Sequence, residues 1–405
     1  MSFSEWREVK LGEIINLNYG KGLSATKRNP GNIPVYSSAG ITGWHDKALI
    51  KKNGIVVGRK GTVGTVYYSE TPFYCIDTAY YLTEDDTKED LKYLYYLLNH
   101  LPLKKLNTDS AVPGLNRDNA YSQVFSLPPI QEQKSIAHIL STLDDKIEVN
   151  NQINKTLEKM AQAIFKQWFV DFEFPNEDGE PYKSSGGEMV ETELGMIPKG
   201  WEVGTIGNYV KVKSGYAFKS AWWDSKGIAV IKIKDINNGT LNLTDCSFVS
   251  EKNASSAQEF IINGGEILIA MTGATIGKFA IVPKMNHHAL VNQRVGKFFL
   301  GENPFDKVSF LYCILNQSSV YEEIVSRGDG SAQPNISPSG IESIKIVIPN
   351  SFILDKFNRL MKFNFQKITE NIYENNKLVD LRDTLLPKLM SGEIRVPLDE
   401  EGEAS

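Results

Sequence analysis

Trp6-Arg-Glu-Val-Lys-Leu-Gly-Glu-Ile14, near the start of the chain, is echoed 195 residues later by Trp201-Glu-Val-Gly-Thr-Ile-Gly-Asn-Tyr209. Gly20 and Gly215, Ile33 and Ile228, and Val35 and Val230 keep that offset. Through insertions it grows to 213 for Thr62-Val-Gly64 against Thr275-Ile-Gly277, and to 217 for Leu94–Asn99 against Leu311–Asn316. It reaches 221 for Pro128, Lys146-Ile147 and Leu157 against Pro349, Lys367-Ile368 and Leu378. A period near 200 residues is far too long for a solenoid, so the chain carries a duplicated domain.

The 405 residues, 41% apolar, suffice for two cores with material left for long helices. The opening Met1-Ser-Phe-Ser-Glu-Trp6 has neither a basic nor an apolar leader, and no apolar run approaches the roughly 18 residues of a membrane span. A soluble, cytoplasmic protein is expected. Cys75, Cys246 and Cys313 are odd in number and far apart, which suggests neither a disulfide framework nor a zinc site. The net charge of −5 is unevenly spread: residues 1–128 hold 15 basic and 13 acidic side chains, and residues 200–348 hold 14 and 13. The acidic excess lies in residues 171–199, with 2 basic against 8 acidic, and in 349–405, with 8 against 10. A surface facing DNA is therefore permitted.

Each copy opens with its Trp-led stretch and passes into Gly-punctuated, β-branched runs that predict strands: Gly54–Gly58, Thr62–Tyr68 and Phe73–Leu82, then Ile228–Ile233, Glu266–Met271 and Val295–Leu300. An apolar helical segment follows in each, Leu91–Asn99 or Val308–Asn316, and then a last strand ending at Pro128 or Pro349. After Pro128-Pro129 the period changes to that of a helix for about 38 residues, roughly 57 Å at 1.5 Å per residue. Ile136, Leu143, Asn150, Leu157 and Ile164 fall at heptad position a, with Ile139, Lys146, Ile153 and Met160 at d and Trp168 alongside. The second copy places Phe357, Asn364, Asn371, Leu378 and Leu385 at a and Leu360, Lys367, Glu374 and Leu381 at d; Pro387 should end or kink that helix. Asn150 and Asn371 share a position where an amide fixes register, unless both are merely solvated. The expected fold is α+β: strand-rich recognition-type domains at 1–128 and 199–349, and a long antiparallel two-helix coiled-coil spacer at 129–170 and 350–392. An acidic linker at 171–198 and an acidic tail at 393–405 complete the division.

No catalytic constellation is present. Leu127-Pro-Pro-Ile130 has the prolines of an amino-methyltransferase loop without its amide or aromatic, no GxxxxGK[ST] occurs, and the five histidines are scattered. The chain reads as a non-enzyme that binds no metal or cofactor of its own. Several loops suit nucleic acid. Arg59 and Lys60 lie between Gly58 and Gly61, with Lys51 upstream and Thr62 after them; Ser37 and Ser38 belong to the polar loop Tyr36–Gly40, and Thr78 to Asp77-Thr-Ala79, the segment aligned with Asn292-Gln-Arg294. In the second copy the candidates are Lys234, Asn237, Thr272, Thr275, Gln333 and Asn335, together with Asn292-Gln293-Arg294, whose side chains suit adenine and guanine edges. The alternative is a duplicated protein-binding scaffold whose helices dimerise. Ile164, Phe165, Trp168 and Phe169 would then, as in the DNA-binding reading, either face a partner or pack on the other helix.

The combination resembles the specificity (S) subunit of type I restriction-modification systems, over nearly the whole chain. The residues that carry the resemblance are the two Trp-x-x-x-x-Leu/Ile-Gly openings, Leu127-Pro-Pro-Ile-Gln-Glu-Gln133, Ala163-Ile-Phe-Lys-Gln-Trp-Phe-Val-Asp-Phe172 and the closing Leu381-Arg-Asp-Thr-Leu-Leu-Pro-Lys-Leu-Met-Ser-Gly-Glu-Ile394. The resemblance implies two target-recognition domains, each reading half of an asymmetric, gapped duplex DNA site. It also implies two methyltransferase subunits docked on the spacer helices, restriction subunits joining for cleavage, and S-adenosylmethionine, Mg2+ and ATP held by those partners. The chain departs from the pattern at Pro349-Asn-Ser-Phe-Ile-Leu-Asp355, where Pro-Pro-x-x-Glu-Gln is expected.

Overall fold

A computed structural model describes residues 5–106, 114–237, 239–241, 243, 246–328 and 334–396. The chain forms two compact units, one of residues 1–147 with 377–405, the other of residues 148–376. The class is α+β, as the strand and helix signals predict.

In the first unit, Gly54–Gly58 is a central strand of a sheet whose order is 18–19, 79–82, 54–58, 66–69. Its Gly-Ile-Val-Val-Gly sequence is buried throughout because Ala79–Leu82 and Val66–Ser69 pair with its two edges while Ile55 and Val57 enter one core and Val56 another; a strand covered on both faces reads as a continuous apolar run. Thr62–Thr65, expected to be strand, instead turns the chain. Gly64 there has φ +70°, and a Cβ would meet the backbone of Leu103 at 2.5 Å, so the Thr-Val-Gly repeat marks a turn and not a strand. Helix Leu91–His100 packs Leu94, Leu97 and Tyr93 on this sheet, its first turn capped by Asp90, which accepts from the Tyr93 amide at 2.8 Å.

The second unit repeats this sheet in the order 211–214, 295–299, 267–270, 279–281 and sets helix Val308–Leu315 in the same place in the sequence. Each unit has a second sheet built on a parallel pair, three-stranded in the first, with the order 40–45, 33–37, 74–75, and five-stranded in the second, with the order 223–224, 247–249, 228–231, 289–291, 261–262. Residues 171–198, read as a linker from their acidity, are structured: Met189–Thr192 pairs with Gly195–Pro198, and buried Phe174 stacks on Trp201 with centroids 4.9 Å apart. Phe172, Phe174 and Tyr182, interleaved among the acids, anchor this stretch to the core.

The first long helix runs Ile130–Phe165 and closes in a π-turn, Lys166–Val170; the second runs Ser351–Met390. Position 130 plus the offset of 221 is 351, so both start in register. The Gln-Glu-Gln motif explains the first start. Gln133 donates to Glu89 and to the Pro128 carbonyl and accepts from the Asp90 amide, while buried Glu132 accepts from Trp6 Nε1 at 2.9 Å and from Arg395 at 2.7 and 2.8 Å. In the second copy Ile353 stands where Glu132 would. Asn350 caps the helix instead, accepting from the Ile353 amide at 2.9 Å, and the indole N–H of Trp201 is buried without a partner among the described residues. Pro387 does not end the second helix, which runs on to Met390; proline there removes one donor near a terminus where few bonds remain to be made.

The helical period holds but its phase differs from the a/d expectation. Leu140, Asn154, Ala161 and Trp168, at position e, turn inward with the a residues, whereas Ile153, Met160, Leu360 and Leu381, at d, are exposed. Each helix packs on a β-rich core as well as on its helical neighbour, which widens and rotates the buried stripe. Within the second unit the helices run antiparallel, with Asn150 donating to Asn375 and Asn371 donating to Asn154, both at 2.8 Å. Adding 221 to 150 and 154 gives 371 and 375, so these two bonds are copies of one another. Both amides are buried, which removes the solvated reading.

Candidate nucleic-acid interface

In the first unit the chain leaves its central strand at Arg59-Lys60, where Lys60 bridges Gly114 and the Leu115 amide donates to the Arg59 carbonyl at 2.8 Å. Tyr19, on an edge strand opposite Tyr80, and Asn116-Arg117-Asp118, at the start of helix Arg117–Tyr121, complete a cleft of about 380 Å³. Its centre is aromatic. The Arg59 guanidinium lies 4.8 Å and that of Arg117 5.2 Å from the Tyr19 ring centroid, and Tyr19 meets Tyr80 edge-on at 5.1 Å. Burial pushes the Tyr80 phenol up to about 12, so it stays protonated and donates to the Leu115 carbonyl at 3.1 Å. Nη1 of Arg59 donates to the Asp77 carbonyl at 3.0 Å and Nη1 of Arg117 to the Leu17 carbonyl at 3.3 Å. Among the described residues no carboxylate pairs with either.

The second unit makes the same junction. The chain leaves strand Ile267–Ala270 at Met271-Thr272; Thr272 bridges Asn335 and the Ile336 amide donates to the Met271 carbonyl at 3.0 Å. A cleft of about 570 Å³ opens there, lined by Ser214, Met271, Thr272, Gln293, Arg294 and Asn335. Backbone pairing makes the correspondence explicit. The Arg59 amide donates to Thr78 as Met271 does to Arg294, Tyr19 faces Tyr80 as Ser214 faces Gly296, and the 221 offset carries Arg117 onto Pro338. One backbone frame thus presents two unrelated sets of side chains. Thr272 Oγ1 is buried here without a partner among the described residues.

The structure brings Arg59 and Lys60 into the first cleft and Thr272, Gln293, Arg294 and Asn335 into the second. Ser37, Ser38, Thr62 and Thr78 do not line the first cleft; they are tied up in turns, Thr65 Oγ1 donating to the Ser38 and Thr62 carbonyls and the Ser38 amide to Thr78 Oγ1, while Ser37 closes its own turn. Asn292 and Thr275 likewise bond within the turns that flank the second cleft. Lys51 lies beyond the opposite end of strand Gly54–Gly58 from Arg59. Lys234 is 2.9 Å from Asp235, and Asn237 sits on a separate two-stranded ribbon with Thr240. Gln333 lies outside the described residues. Tyr19 and Arg117 escaped the sequence reading: Tyr19 reads as a strand aromatic, and the run Asn116-Arg117-Asp118-Asn119 balances its one cation with an acid; the signal available was the 221 offset placing Asn116-Arg117 opposite Ser337-Pro338, beside the candidate Asn335.

On the helices, Ile136, Asn150, Trp168, Phe357 and Asn371 are buried, and Leu143, Leu157, Ile164, Leu378 and Leu385 half-buried. Phe165, Trp168 and Phe169 belong to the core around Phe310 and Phe357 and present no free apolar surface. Among the described residues no group of three His, Cys, Asp or Glu could hold a metal, and no helix is long and apolar enough to cross a membrane.

The family described as type I restriction modification DNA specificity domain matches twice, at residues 3–159 and 198–372. The type I restriction enzyme MjaIX specificity subunit of Methanocaldococcus jannaschii is 32% identical over 319 residues, 75% of this chain and 69% of its own. The HindI specificity subunit of Haemophilus influenzae is 26% identical over 468 residues, covering 96% of this chain and all of its own. The crystal structure of a type I restriction-modification S subunit from M. genitalium shares the fold with a TM-score of 0.60 at 20% identity, across 96% of both chains. With two copies of that domain, the chain belongs to the type I restriction-modification specificity subunits, the non-catalytic, sequence-recognising members of their systems.

Proposed function

We propose that the chain binds an asymmetric, gapped duplex DNA site, with the domain of residues 1–128 reading one half-site and that of residues 199–349 the other. The observation that carries this is the pair of equivalent clefts with different linings, since two domains that read the same bases have no need to differ there. The recognition domains are near neutral, the acidic excess being confined to residues 171–199 and 349–405, so cations such as the exposed Lys60 can set a salt-dependent affinity. The helices of residues 129–170 and 350–392 dock two methyltransferase subunits, and restriction subunits join them. Support for that docking comes from Phe352, Leu360 and Phe363 on the second helix, of which the two phenylalanines are 70% and 77% exposed. S-adenosylmethionine, Mg2+ and ATP belong to those partners, and the complex works in the cytoplasm, where its DNA is.

The test is to co-express the chain with a type I methyltransferase subunit and map N6-methyladenine across the host genome by single-molecule sequencing. One gapped motif, methylated on both strands, is expected, and Arg294→Ala should relax one half-site while leaving the other intact. A stable complex that methylates no motif overturns the proposal.

A further inference from the structure

Arg59 and Arg117 are unusual cations. Each is half-buried, each lies against the Tyr19 ring, and each has one Nη1 contact to a backbone carbonyl, so the plane of its guanidinium is set before any ligand arrives. A guanidinium has five N–H groups. Nη2 and Nε of both residues meet no acceptor among the described residues, leaving a flat edge of parallel donors on either side of one aromatic ring.

Two uses suit such an edge on DNA: a phosphate, or the O6 and N7 acceptors of guanine. The duplication decides between them. Phosphates are chemically the same in both half-sites, so a residue that grips them can serve equally in both copies, whereas base readers must differ when the half-sites differ. At the equivalent backbone positions of the second domain stand Ser214, Met271, Gly296 and Pro338, and none of Tyr19, Arg59, Tyr80 or Arg117 has a like counterpart. The set that changes wholesale is the set that reads bases.

We infer that the first recognition domain reads guanine, Arg59 and Arg117 each presenting a bidentate guanidinium edge to O6 and N7, with Tyr19 holding both planes. This rests on the DNA-reading function proposed above and goes further by naming the base, the atoms and two positioning contacts. Arg117 and Tyr19 become specificity-determining residues of the first half-site. The second cleft, with Gln293, Arg294 and Asn335, reads a different set.

The experiment uses the full chain co-purified with its methyltransferase subunit. The motif is mapped for the wild type, Arg59→Lys and Arg117→Lys, because lysine keeps the charge and loses the fork. The wild-type first half-site should contain guanine. In each variant the preference for guanine at one position should fall roughly ten- to a hundredfold while the second half-site stays unchanged. A second arm needs no variant: duplexes with 7-deazaguanine at that position, which removes the N7 acceptor, should bind the wild-type complex more weakly than duplexes with guanine. A first half-site without guanine, indifference to 7-deazaguanine, or lysine variants that weaken all sequences equally under an unaltered motif would each overturn the guanine assignment and leave phosphate contacts. A wild-type complex that yields no motif fails at the earlier step, the DNA-reading function itself.

Discussion

Glu132 accepts hydrogen bonds from a tryptophan near the start of the chain and an arginine near its end while only 1% exposed. Burial alone would raise its pKa, but the bonds from Arg395 and Trp6 outweigh it and hold the carboxyl below its ordinary 4.5. A depressed carboxyl contributes stability that is fully present above its unfolded value and is lost as pH falls through its folded one. The first unit should therefore weaken as pH drops below about 4.5, and Glu132→Gln should remove that acid-side dependence. The same change should cost about 2–3 kcal/mol at neutral pH, by leaving Arg395 short of its charged partner. Chemical denaturation from pH 3.5 to 7 checks both, and an unchanged profile in the variant would refute the assignment. The Gln-Glu-Gln run was legible as a helix entry; its use was not, because Trp6 and Arg395 lie 126 and 263 residues away and nothing local announces them.

At the scale of elements, the two long helices show what periodicity can and cannot deliver. Their existence, length and shared start were readable from apolar spacing and from the offset of 221. Their phase was not, because a heptad drawn for two helices alone ignores the sheet-and-helix cores that bury position e and leave d to solvent. Asn150 and Asn371 were visible as marked positions, but their partners Asn375 and Asn154 were not, because both lie at position e, outside the a/d register. The paired bonds make a defined prediction: a double-mutant cycle on Asn150→Ala and Asn375→Ala should give a coupling of about 1 kcal/mol, read by urea denaturation, and strict additivity would show that the amides act independently. On the outer face, Phe363→Ser should abolish co-purification with the methyltransferase subunit while leaving the melting temperature within a few degrees, as an exposed apolar side chain contributes little to its own fold. Retained co-purification would place the docking surface elsewhere.

For the molecule as a whole, duplication was legible at once and its asymmetries were not. Ile353 in place of Glu132, Phe174 at the position matching Arg395 and a Trp201 indole N–H with no hydrogen-bond partner among the described residues show the second copy solving by aromatic packing what the first solves by charge. The clefts follow the same rule, with a fixed backbone and a free choice of side chains, which is why backbone-defining glycines survive in the repeat while the lining residues do not. Gly20 and Gly215 illustrate the first half of that rule: a Cβ on either would meet a carbonyl oxygen at 2.1 or 2.2 Å.

The Trp6–Glu132–Arg395 knot also has a meaning in time. The unit of residues 148–376 is a single uninterrupted stretch, whereas the other needs residues from both ends of the chain. At about 5–20 residues per second, the interval between the synthesis of Ile147 and that of Arg395 is roughly 12–50 s, during which the first 147 residues lack the strand of contacts that closes their core. The part of the protein made first should be the part finished last. Pulse proteolysis of stalled nascent chains should find residues 148–376 protected before residues 5–147, and a chain stalled before Arg395 should leave its opening residues open to cleavage.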